Sequence, residues 1–419
     1  MMVLGLISLK VPALASLLDS VGSSISRTAL HKRFTEAAVN FMRRVFLHVI
    51  KFKSFSRLSS SVFDCFESVL ICDSTWCELS DSLKDILPGS GGVGSQASCK
   101  LQLVFNFLTG EFVNHEISKG TKNDMQFVED LIATVQRKAL LIVDLGYFSL
   151  QLFYELNKKG AYFLSRLRSG IRVFEVFYRT EMDLFKLLSK LNSKEAEFEV
   201  LIGCKAKSHE VQCRLIALRV PEEVIKQRKD RYIKSCKGKG QKPNERNLQL
   251  MEWTLLITNT PKKILPASLV YILYTIRWQV ELIFKQFKSV YQLDTTTHTK
   301  NPHRIFCEIY GRLIAAALTC NIWGQVNSSL WNEDRKELSF DKLFKRIQQR
   351  AFSLLELIRK DLDLAKNYML ETLSCCLKNC IKLKQRSRIS SLERFVYGPR
   401  YTVKVYTPGQ ILELWTSLS

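Results

Sequence analysis

The spacing of apolar residues predicts an α/β protein whose strands and helices alternate through the first half of the chain. Residues 25–55 keep a helical period. From about residue 66 the pattern predicts the order β, β, β, α, β, α, β: an apolar run ending at Asp73, two strands around Thr109–Gly110, a helix over 124–138, a buried strand ending at Asp144, a helix near 148–158 and a strand over 161–167. An aspartate therefore closes the first and the fourth predicted strands.

The second half changes from strands to helices. Between about 168 and 265 the pattern is largely that of strands, interrupted by a polar run from Lys226 to Asn247. Helical spacing returns at Leu269, and the remaining predictions are helices over 303–323 and 335–385 and a short strand and helix over 400–415. No internal repeat is visible.

The stretch YTIRWQVELIFKQFK, residues 274–288, predicts one amphipathic helix with a carboxylate among cations. At about 100° per residue, four polar side chains fall within an arc of roughly 60°: Tyr274, Arg277, Glu281 and Lys288. A solvated face with an ordinary Arg–Glu pair, which stabilises a helix by only tenths of a kcal/mol, would show the same spacing.

Composition and charge narrow the class of protein. The 419 residues are 46% hydrophobic, enough for a substantial core and more than one domain. Lys and Arg number 62 against 40 Asp and Glu, a net charge of +22, and the cations recur along the whole chain. We therefore expect the protein to bind a polyanion over an extended surface, and nucleic acid fits this best. Residues 25–55 then predict a small helical region on DNA, and the run at 226–247 a solvated loop or hairpin over DNA; a basic loop that contacts nothing remains the alternative.

Cysteine and histidine spacing favours no zinc site. The 12 cysteines contain no pair of CxxC motifs, the cluster Cys375, Cys376 and Cys380 lacks a second half, and the six histidines show no zinc spacing. Several cysteines lie inside apolar runs, where thiols pack as small hydrophobes: Cys72, Cys213 and Cys320. A reduced, cytoplasmic protein is the expectation.

Three further patterns are interpreted without a new function. The start, MMVLGLISLKVPALASLLDS, imitates a secretory signal but lacks a basic n-region and is interrupted by Lys10, so it predicts an ordinary helix or the remnant of a longer amino-terminal domain. No uninterrupted apolar stretch reaches about 18 residues, which predicts no membrane span. GSGGVGS at 89–95 has the glycine spacing of a phosphate-binding loop with Ser95 in place of its lysine, which predicts a flexible loop and no nucleotide cofactor.

Three carboxylates are the candidates for shared chemistry. Asp73 and Asp144 close predicted strands, whose ends can meet on one rim of a sheet, and a following helix can lay Glu281 over that rim. Oxygen-rich acidic sites suit Mg²⁺ or Mn²⁺, and two such ions about 3.5–4 Å apart can drive phosphoryl transfer. With 40 acids in the chain, spacing alone leaves many other triplets open.

These residues resemble those of a known family. Tyr-x2-Arg-x3-Glu-x6-Lys, at Tyr274, Arg277, Glu281 and Lys288, resembles the YREK signature of the DDE transposases of the insertion sequence 4 family. ICDST around Asp73 and DLGYF at 144–148 resemble its two acidic motifs. LPGSGGVG followed by Lys100, and TLLITNTP at 254–261, are also similar to its sequence, so that the resemblance covers roughly residues 60 to 325.

The resemblance implies an RNase H-like catalytic core interrupted by a β-rich insertion domain, with a small helical amino-terminal region and a helical carboxy-terminal region. The implied boundaries are 1–62 for a helical DNA-binding region, 63–167 for the first part of the core, 168–265 for the insertion, 266–330 for the second part with the YREK helix, and 331–419 for a helical basic region.

The resemblance also implies roles for single residues. Asp73, Asp144 and Glu281 become catalytic ligands of Mg²⁺, for which Mn²⁺ can substitute. DNA-binding roles, chiefly to phosphates of the transposon end, fall to Arg277, Lys288, Tyr274 and Lys100. Trp253, 21 residues before Tyr274, resembles a tryptophan that some relatives stack on a flipped base while a hairpin forms. A core tryptophan on an insertion strand is the open alternative.

The implied activity is DNA transposition. The enzyme would hydrolyse a phosphodiester at the transposon end and use the freed 3′-hydroxyl to attack target DNA, with the two ends paired by a homodimer. A metal nuclease on the same fold would cleave without joining. An inactive, truncated copy would only bind DNA, and the region ahead of Asp73 is short for the family, although all three acids are present.

Overall fold

The computed structural model describes residues 2–8, 13–21, 25–52, 56–89, 95–191, 193–203, 209–293, 299–383, 392–393 and 404–405. The fold is mixed α/β, and the carboxy-terminal part of the described chain is helical. The chain divides into two compact units, which are described separately. The first unit comprises Met1–Asp64, Ser68–Asp124 and Trp278–Ile389, and the second comprises Cys65–Glu67, Met125–Arg277 and Ser390–Ser419.

The elements are numbered along the chain. The helices are α1 Met2–Ser8, α2 Leu14–Val21, α3 Arg27–Lys32, α4 Glu36–Val49, α5 Val128–Thr134, α6 Leu150–Lys158, α7 Leu184–Ser189, α8 Glu222–Gly238, α9 Glu245–Leu250, α10 Ala267–Thr275, α11 Trp278–Ser289, α12 Pro302–Asp334, α13 Phe340–Lys360 and α14 Leu362–Asn379. The strands are β1 Val69–Leu79, β2 Ala97–Asn106, β3 Glu111–Lys119, β4 Leu140–Ile142, β5 Tyr162–Arg166, β6 Arg172–Glu175, β7 Glu195–Gly203, β8 Val211–Arg219, β9 Trp253–Thr258 and β10 Lys404–Val405.

The first unit contains an antiparallel β1–β2–β3 sheet. In the β1–β2 register Asp73 lies opposite Leu103 and Trp76 lies opposite Lys100. β2 and β3 flank the turn at Thr109–Gly110, where the sequence predicts them, and Gly110 has a φ of +75°. Every residue of β2 is buried, which makes β2 the centre of this sheet. The predicted strand pair is therefore confirmed.

Helix α12 forms the core of the first unit. Trp323 of α12 stacks on Phe340 of α13 with their ring centroids 4.0 Å apart. Gly324 lies so close to the β2–β3 turn that a Cβ there would be 1.9 Å from the carbonyl oxygen of Thr109. A glycine is needed at this position because the backbone of the turn occupies the space of a side chain.

One described helix, α12, is long and apolar enough to cross a membrane. Within its most apolar window, 78% of the residues are buried inside the protein. A buried core helix of a soluble protein has the same length and composition, so α12 is weak evidence for a span.

The second unit contains a mixed sheet. β4 pairs with β5 in parallel, β5 with β9, β9 with β8, and β8 with β7 in antiparallel fashion. β6 and β10 both pair with β7, β6 antiparallel and β10 parallel. β5, from the predicted core, is thus bonded to β9, from the predicted insertion. The boundaries at 167/168 and 265/266 remain predictions.

The end of β9 is tied to β5 by side-chain hydrogen bonds. The amide of Asn259 accepts from the backbone N–H of Phe163 at 2.8 Å and donates to the carbonyl of Ala161 at 2.8 Å. The hydroxyl of Thr258 donates to the carbonyl of Phe163 at 2.6 Å. The TLLITNTP motif therefore fixes the pairing of these two strands.

The polar run from Lys226 to Asn247 is helical, and the prediction of a loop or hairpin was wrong. It forms most of α8 and the start of α9. Glu222 and Glu223 stand in the first turn of α8, and most of the helix consists of strong helix formers. Only Ile225 and Cys236 are buried, so the apolar stripe is too sparse to mark the helix in the sequence.

The helix predicted from Leu269 through residue 288 is also interrupted. α10 ends at Thr275 and α11 begins at Trp278. At the break the backbone N–H groups of Ile276 and Arg277 donate three residues back, to Leu273 and Tyr274. Tyr274 therefore lies on a different helix from Glu281 and Lys288, and the prediction of one continuous helix was wrong.

Candidate active site

Asp73 lies within a strand rather than at its end. β1 continues six residues beyond it to Leu79, so the expectation that Asp73 closes the strand was wrong. The apolar run ends there, but the strand goes on with alternate residues buried. The Oδ1 atom of Asp73 accepts from the backbone N–H of Ser74 at 2.8 Å, which orients the carboxylate.

Glu281 and Lys288 lie at opposite ends of α11. Glu281 stands in the first turn and Lys288 in the last, the two positions that the helix dipole favours for an acid and a base. α11 packs against β1. The ammonium of Lys288 donates to the backbone carbonyl of Trp76 at 2.5 Å. The helix of Glu281 is thereby attached to the strand of Asp73, three residues beyond that aspartate.

Lys100 points into the first unit. Only 2% of the residue is exposed, and its ammonium lies 2.6 Å from Oδ1 of Asp124 and 3.0 Å from the carbonyl of Lys122. The ammonium also lies 4.6 Å from the centre of the Trp76 ring. In this structure a carboxylate and an indole, rather than the solvent, surround the cation that the sequence assigns to DNA.

Asp144 lies in the second unit, two residues after β4. It caps the single 3₁₀ turn Leu145–Tyr147, and its Oδ1 atom accepts from the backbone N–H of Gly146 at 2.8 Å. The predicted position at the end of a buried strand is close to the observed one. The cap fixes the carboxylate because the glycine of DLGYF brings its N–H back to Asp144.

Asp144, Arg277 and Tyr274 lie close together in the second unit. Burial raises the pKa of the Tyr274 hydroxyl, and the positive charges of Arg277 and Arg166 oppose that rise. The guanidinium of Arg277 is hydrogen-bonded to the phenol, and the charge of Asp144 also acts on it. A phenol is protonated at neutral pH even at its ordinary pKa, and the raised pKa extends that state to higher pH, so Tyr274 can donate a hydrogen bond.

Arg166 is a member of this cluster that the sequence analysis missed. It is exposed at the end of β5, and its charge acts on both Tyr274 and Arg228. The sequence does place Arg166 near the end of the predicted strand AYFLSRL, much as it places Asp144 at the end of the predicted strand ALLIVD. Cations are common in this chain, which hid that signal.

Arg228, from the predicted DNA-binding run, holds β9 instead. Its guanidinium donates to the carbonyls of Met251 and Trp253 at 3.2 Å and to the hydroxyl of Thr254 at 3.0 Å. Burial and the charge of Arg166 lower its pKa. The exposed cations of α8 are Lys226, Arg231, Lys234 and Lys237.

Trp253 lines a cavity of about 300 Å³ in the second unit. It is 9% exposed and begins β9, opposite Arg219 of β8. The other walls of the cavity include Phe185, Leu188, Leu191, Leu250 and Glu252. The volume is at the lower end of the range for small-molecule sites. Both interpretations of Trp253 stay open, because the ring is largely buried and yet borders a space.

The three carboxylates belong to different units: Asp73 and Glu281 to the first, Asp144 to the second. Within the described parts of the chain, no three His, Cys, Asp or Glu residues form a group that could hold a metal ion. The chemistry of the three candidates nevertheless suits a hard divalent cation, since all are carboxylates and backbone N–H groups already orient two of them.

Comparison with known proteins gives a consistent result. Residues 64–318 match the family model described as the transposase DDE domain. The transposase for insertion sequence element IS231D of Bacillus thuringiensis subsp. finitimus is 29% identical over 377 residues, which cover 86% of this chain and 78% of that protein. The transposase for insertion sequence element IS1151 of Clostridium perfringens is 32% identical over 356 residues, 80% of this chain and 74% of that protein.

Among solved structures, a cryo-EM structure of the piggyBac transposase synaptic complex with hairpin DNA matches 94% of this chain and 78% of its own, with a TM-score of 0.43 and 12% identity. The family model spans more than half of the chain, and the relatives align over most of it. A DDE domain implies divalent metal dependence in general. The chain therefore belongs to the transposase DDE domain family, as a DNA transposase of the insertion sequence 4 type.

Proposed function

We propose that this transposase cleaves a phosphodiester at the ends of an insertion sequence and joins the freed 3′-hydroxyl to target DNA. The supporting observation is that each unit combines acidic residues with cations that could bind phosphate. Asp144 lies near Arg166 and Arg277 in the second unit. Glu281 shares α11 with Lys288 in the first, where that helix is attached to the strand of Asp73.

The cations and the phenol are proposed to hold the DNA backbone. Arg277, with its planar array of N–H groups, suits two phosphate oxygens, and its bond to Tyr274 sets the plane. The protonated phenol donates to a phosphate oxygen rather than repelling it. The ammonium of Lys288, which donates to the carbonyl of Trp76, brings a positive charge for a phosphate to the same strand as Asp73. Arg166 adds a fourth contact at the end of β5.

Asp73, Asp144 and Glu281 are proposed to hold Mg²⁺, for which Mn²⁺ can substitute. When bound, the divalent ions would polarise the phosphodiester and increase the nucleophilicity of the attacking oxygen. Backbone N–H bonds orient the carboxylates of Asp73 and Asp144, which reduces the freedom they lose on binding. The acids thus supply oxygen ligands and negative charge, and the cations around them offset the charge of the DNA.

Two displacements are proposed. In the first, the oxygen of water loses a proton and forms a bond to phosphorus at the element end, while the bond from phosphorus to the 3′-oxygen breaks and that oxygen takes up a proton. In the second, that 3′-hydroxyl loses its proton and forms a bond to a target phosphorus, while the bond from that phosphorus to another 3′-oxygen breaks and the displaced oxygen takes up a proton. Each displacement replaces one oxygen bonded to phosphorus by another oxygen. The reaction therefore needs no nucleotide as a phosphoryl donor.

We also propose that the fold contains an RNase H-like core and that the β-rich segment carrying Trp253 interrupts this core. The cavity beside Trp253 would accept a flipped base against the indole if the reaction passes through a hairpin. Trp253→Ala is expected to reduce hairpin formation while first-strand nicking continues. Unchanged hairpin yield would assign this tryptophan to the core.

The experiment for the proposed function uses labelled DNA that carries the element's own ends, with Mg²⁺ or Mn²⁺, and compares the full chain with Glu281→Gln. End-specific nicking followed by joining, lost in the variant while binding persists, supports the transposition chemistry. Nicking without joining would indicate a nuclease, and binding without nicking an inactive copy. The size of the complex on paired ends tests the proposed homodimer.

A further inference from the structure

Trp76 is a tryptophan on the surface of β1 and is 46% exposed. The buried tryptophans of the first unit, Trp323 and Trp331, are 2% and 1% exposed. Trp76 lies three residues beyond Asp73, on the opposite face of the strand, because side chains alternate along β1. Exposing a large aromatic ring to solvent is unfavourable, which suggests that the ring of Trp76 has a binding role.

The indole of Trp76 is held in one orientation. Its Nε1 atom donates to the carbonyl of Gly120 at 3.0 Å, which fixes the plane of the ring. The Lys100 ammonium lies 4.6 Å from the ring centre and so covers one face. An exposed side chain normally samples several rotamers, whereas this ring is fixed from its edge and from one face.

The support beneath the ring is a buried ionic cluster. Lys100 is 2% exposed, and burial of an ammonium is costly unless it is paired. The pairing comes from Asp124, at 2.6 Å, and from the carbonyl of Lys122. Asp124 also accepts from the hydroxyl of Ser74 at 3.0 Å. The cluster thus links the ring to the residue next to Asp73.

The neighbourhood of the ring favours a nucleic-acid ligand. Lys288, a proposed phosphate contact, donates to the backbone carbonyl of Trp76 itself. An aromatic face beside a cation is the combination that proteins use for unpaired nucleotides, since the base stacks on the ring and the phosphate of the nucleotide binds the cation. Duplex bases are stacked on each other and could not use the ring in this way.

We propose that the indole of Trp76 is a stacking surface for an unpaired nucleobase of the bound DNA, presented by the buried Lys100–Asp124 pair. The inference rests on the proposed function, because it takes the element's DNA as the ligand. It also gives Lys100 a role: this cation orients the ring rather than contacting phosphate.

The test uses photocrosslinking with the wild-type full chain. DNA carrying the element's end and a short unpaired flank receives 5-iodouracil at each flank position in turn, and Ca²⁺ replaces Mg²⁺ to prevent cutting. Irradiation is expected to join one or two adjacent positions to the peptide that contains Trp76. Adducts on other aromatic residues at every position, with none on Trp76, would overturn the proposal, as would the absence of any complex.

Affinity measurements provide a second readout. Trp76→Leu keeps an apolar cover over Lys100 but has no π face, and it is expected to weaken binding of flanked DNA about tenfold while blunt duplex binding is unchanged. The control is Phe352→Leu on α13, where the phenylalanine is 45% exposed; it should change neither. Equal weakening of both DNAs, or of neither, would contradict the stacking role.

The two proposals fail in different ways. Crosslinking in Ca²⁺ reports binding alone. A chain that crosslinks to DNA through Trp76 but never nicks it in Mg²⁺ would refute the proposed reaction and leave the stacking surface. A chain that nicks and joins normally, with no adduct on Trp76, would refute only the stacking surface. If Trp76→Leu does not fold, the wild-type crosslinks still decide.

Discussion

The buried ion pair between Arg214 and Glu197 is expected to fix the segment that leads into α10. Arg214 of β8 donates from Nε to Glu197 of β7 at 2.5 Å. Its Nη1 atom donates to the carbonyls of Thr260 and Leu265 at 2.7 and 2.8 Å. One guanidinium therefore joins two strands to the turn before the helix that carries Tyr274.

The size of the effect follows from burial. The side chains of Arg214 and Glu197 are 4% and 1% exposed, so Glu197→Gln leaves a buried guanidinium without its counter-charge. Breaking a buried pair from one side costs about 3–5 kcal/mol. Two carbonyls still accept from the guanidinium, which places the expected loss at the lower end, about 3 kcal/mol. For a unit of 150–250 residues this lowers the melting temperature by roughly 6–12 °C.

The assay is thermal unfolding of the full chain followed by circular dichroism. Glu210→Gln is the matched control, because Glu210 pairs with the 65% exposed Arg179 and a surface pair contributes about 1 kcal/mol or less. The double variant Glu197→Leu, Arg214→Met should regain part of the loss, since no charge is left buried. A Glu197→Gln melting temperature within 2 °C of that of Glu210→Gln would refute the reasoning.

Three further predictions concern pH, packing and salt. Burial lowers the pKa of His115 to about 4, so on lowering the pH the unfolded chain takes up this proton before the folded chain does. The free energy of unfolding should therefore be highest above pH 6.5 and should fall as the pH drops towards 4. His115→Gln should flatten the dependence of the melting temperature on pH over that range. Gly324→Ala should reduce the free energy of unfolding by about 1–3 kcal/mol through overpacking against Thr109 and so lower the melting temperature, whereas Gly238→Ala, with nothing within 4 Å, should not. Lys234→Glu, on the exposed side of α8, should weaken DNA binding and reduce the slope of log affinity against log salt by about 1; an unchanged slope would remove α8 from the DNA surface.

The sequence predicts elements well where one period dominates. β2, β3, β5, α6 and α12 lie where the apolar pattern indicates them, because each buries a continuous stripe or face. α8 was missed for the opposite reason: it buries few apolar residues and is held by Arg228, whose hydrogen bonds to β9 no periodicity reveals.

Single residues of the site show a second limit. The spacing of Tyr274, Arg277 and Glu281 assumes a continuous helix, but hydrogen bonds three residues back end α10 just before Arg277. Lys100 has the charge of a DNA contact, yet its register opposite Trp76 and its bond to Asp124 turn it inward. Such contacts depend on residues distant in sequence, and local pattern does not contain them.

Asp73, Asp144 and Glu281 are the proposed ligands of the divalent ions. Fe²⁺ in place of Mg²⁺, with ascorbate and peroxide, cleaves a protein backbone close to the bound ion, and the fragments can be sized on the full chain without any measurement of activity. Cuts are expected near all three residues, and they should be suppressed by excess Mg²⁺ and lost in Glu281→Gln. Cuts confined to one unit, or cuts that persist unchanged in Glu281→Gln, would contradict it.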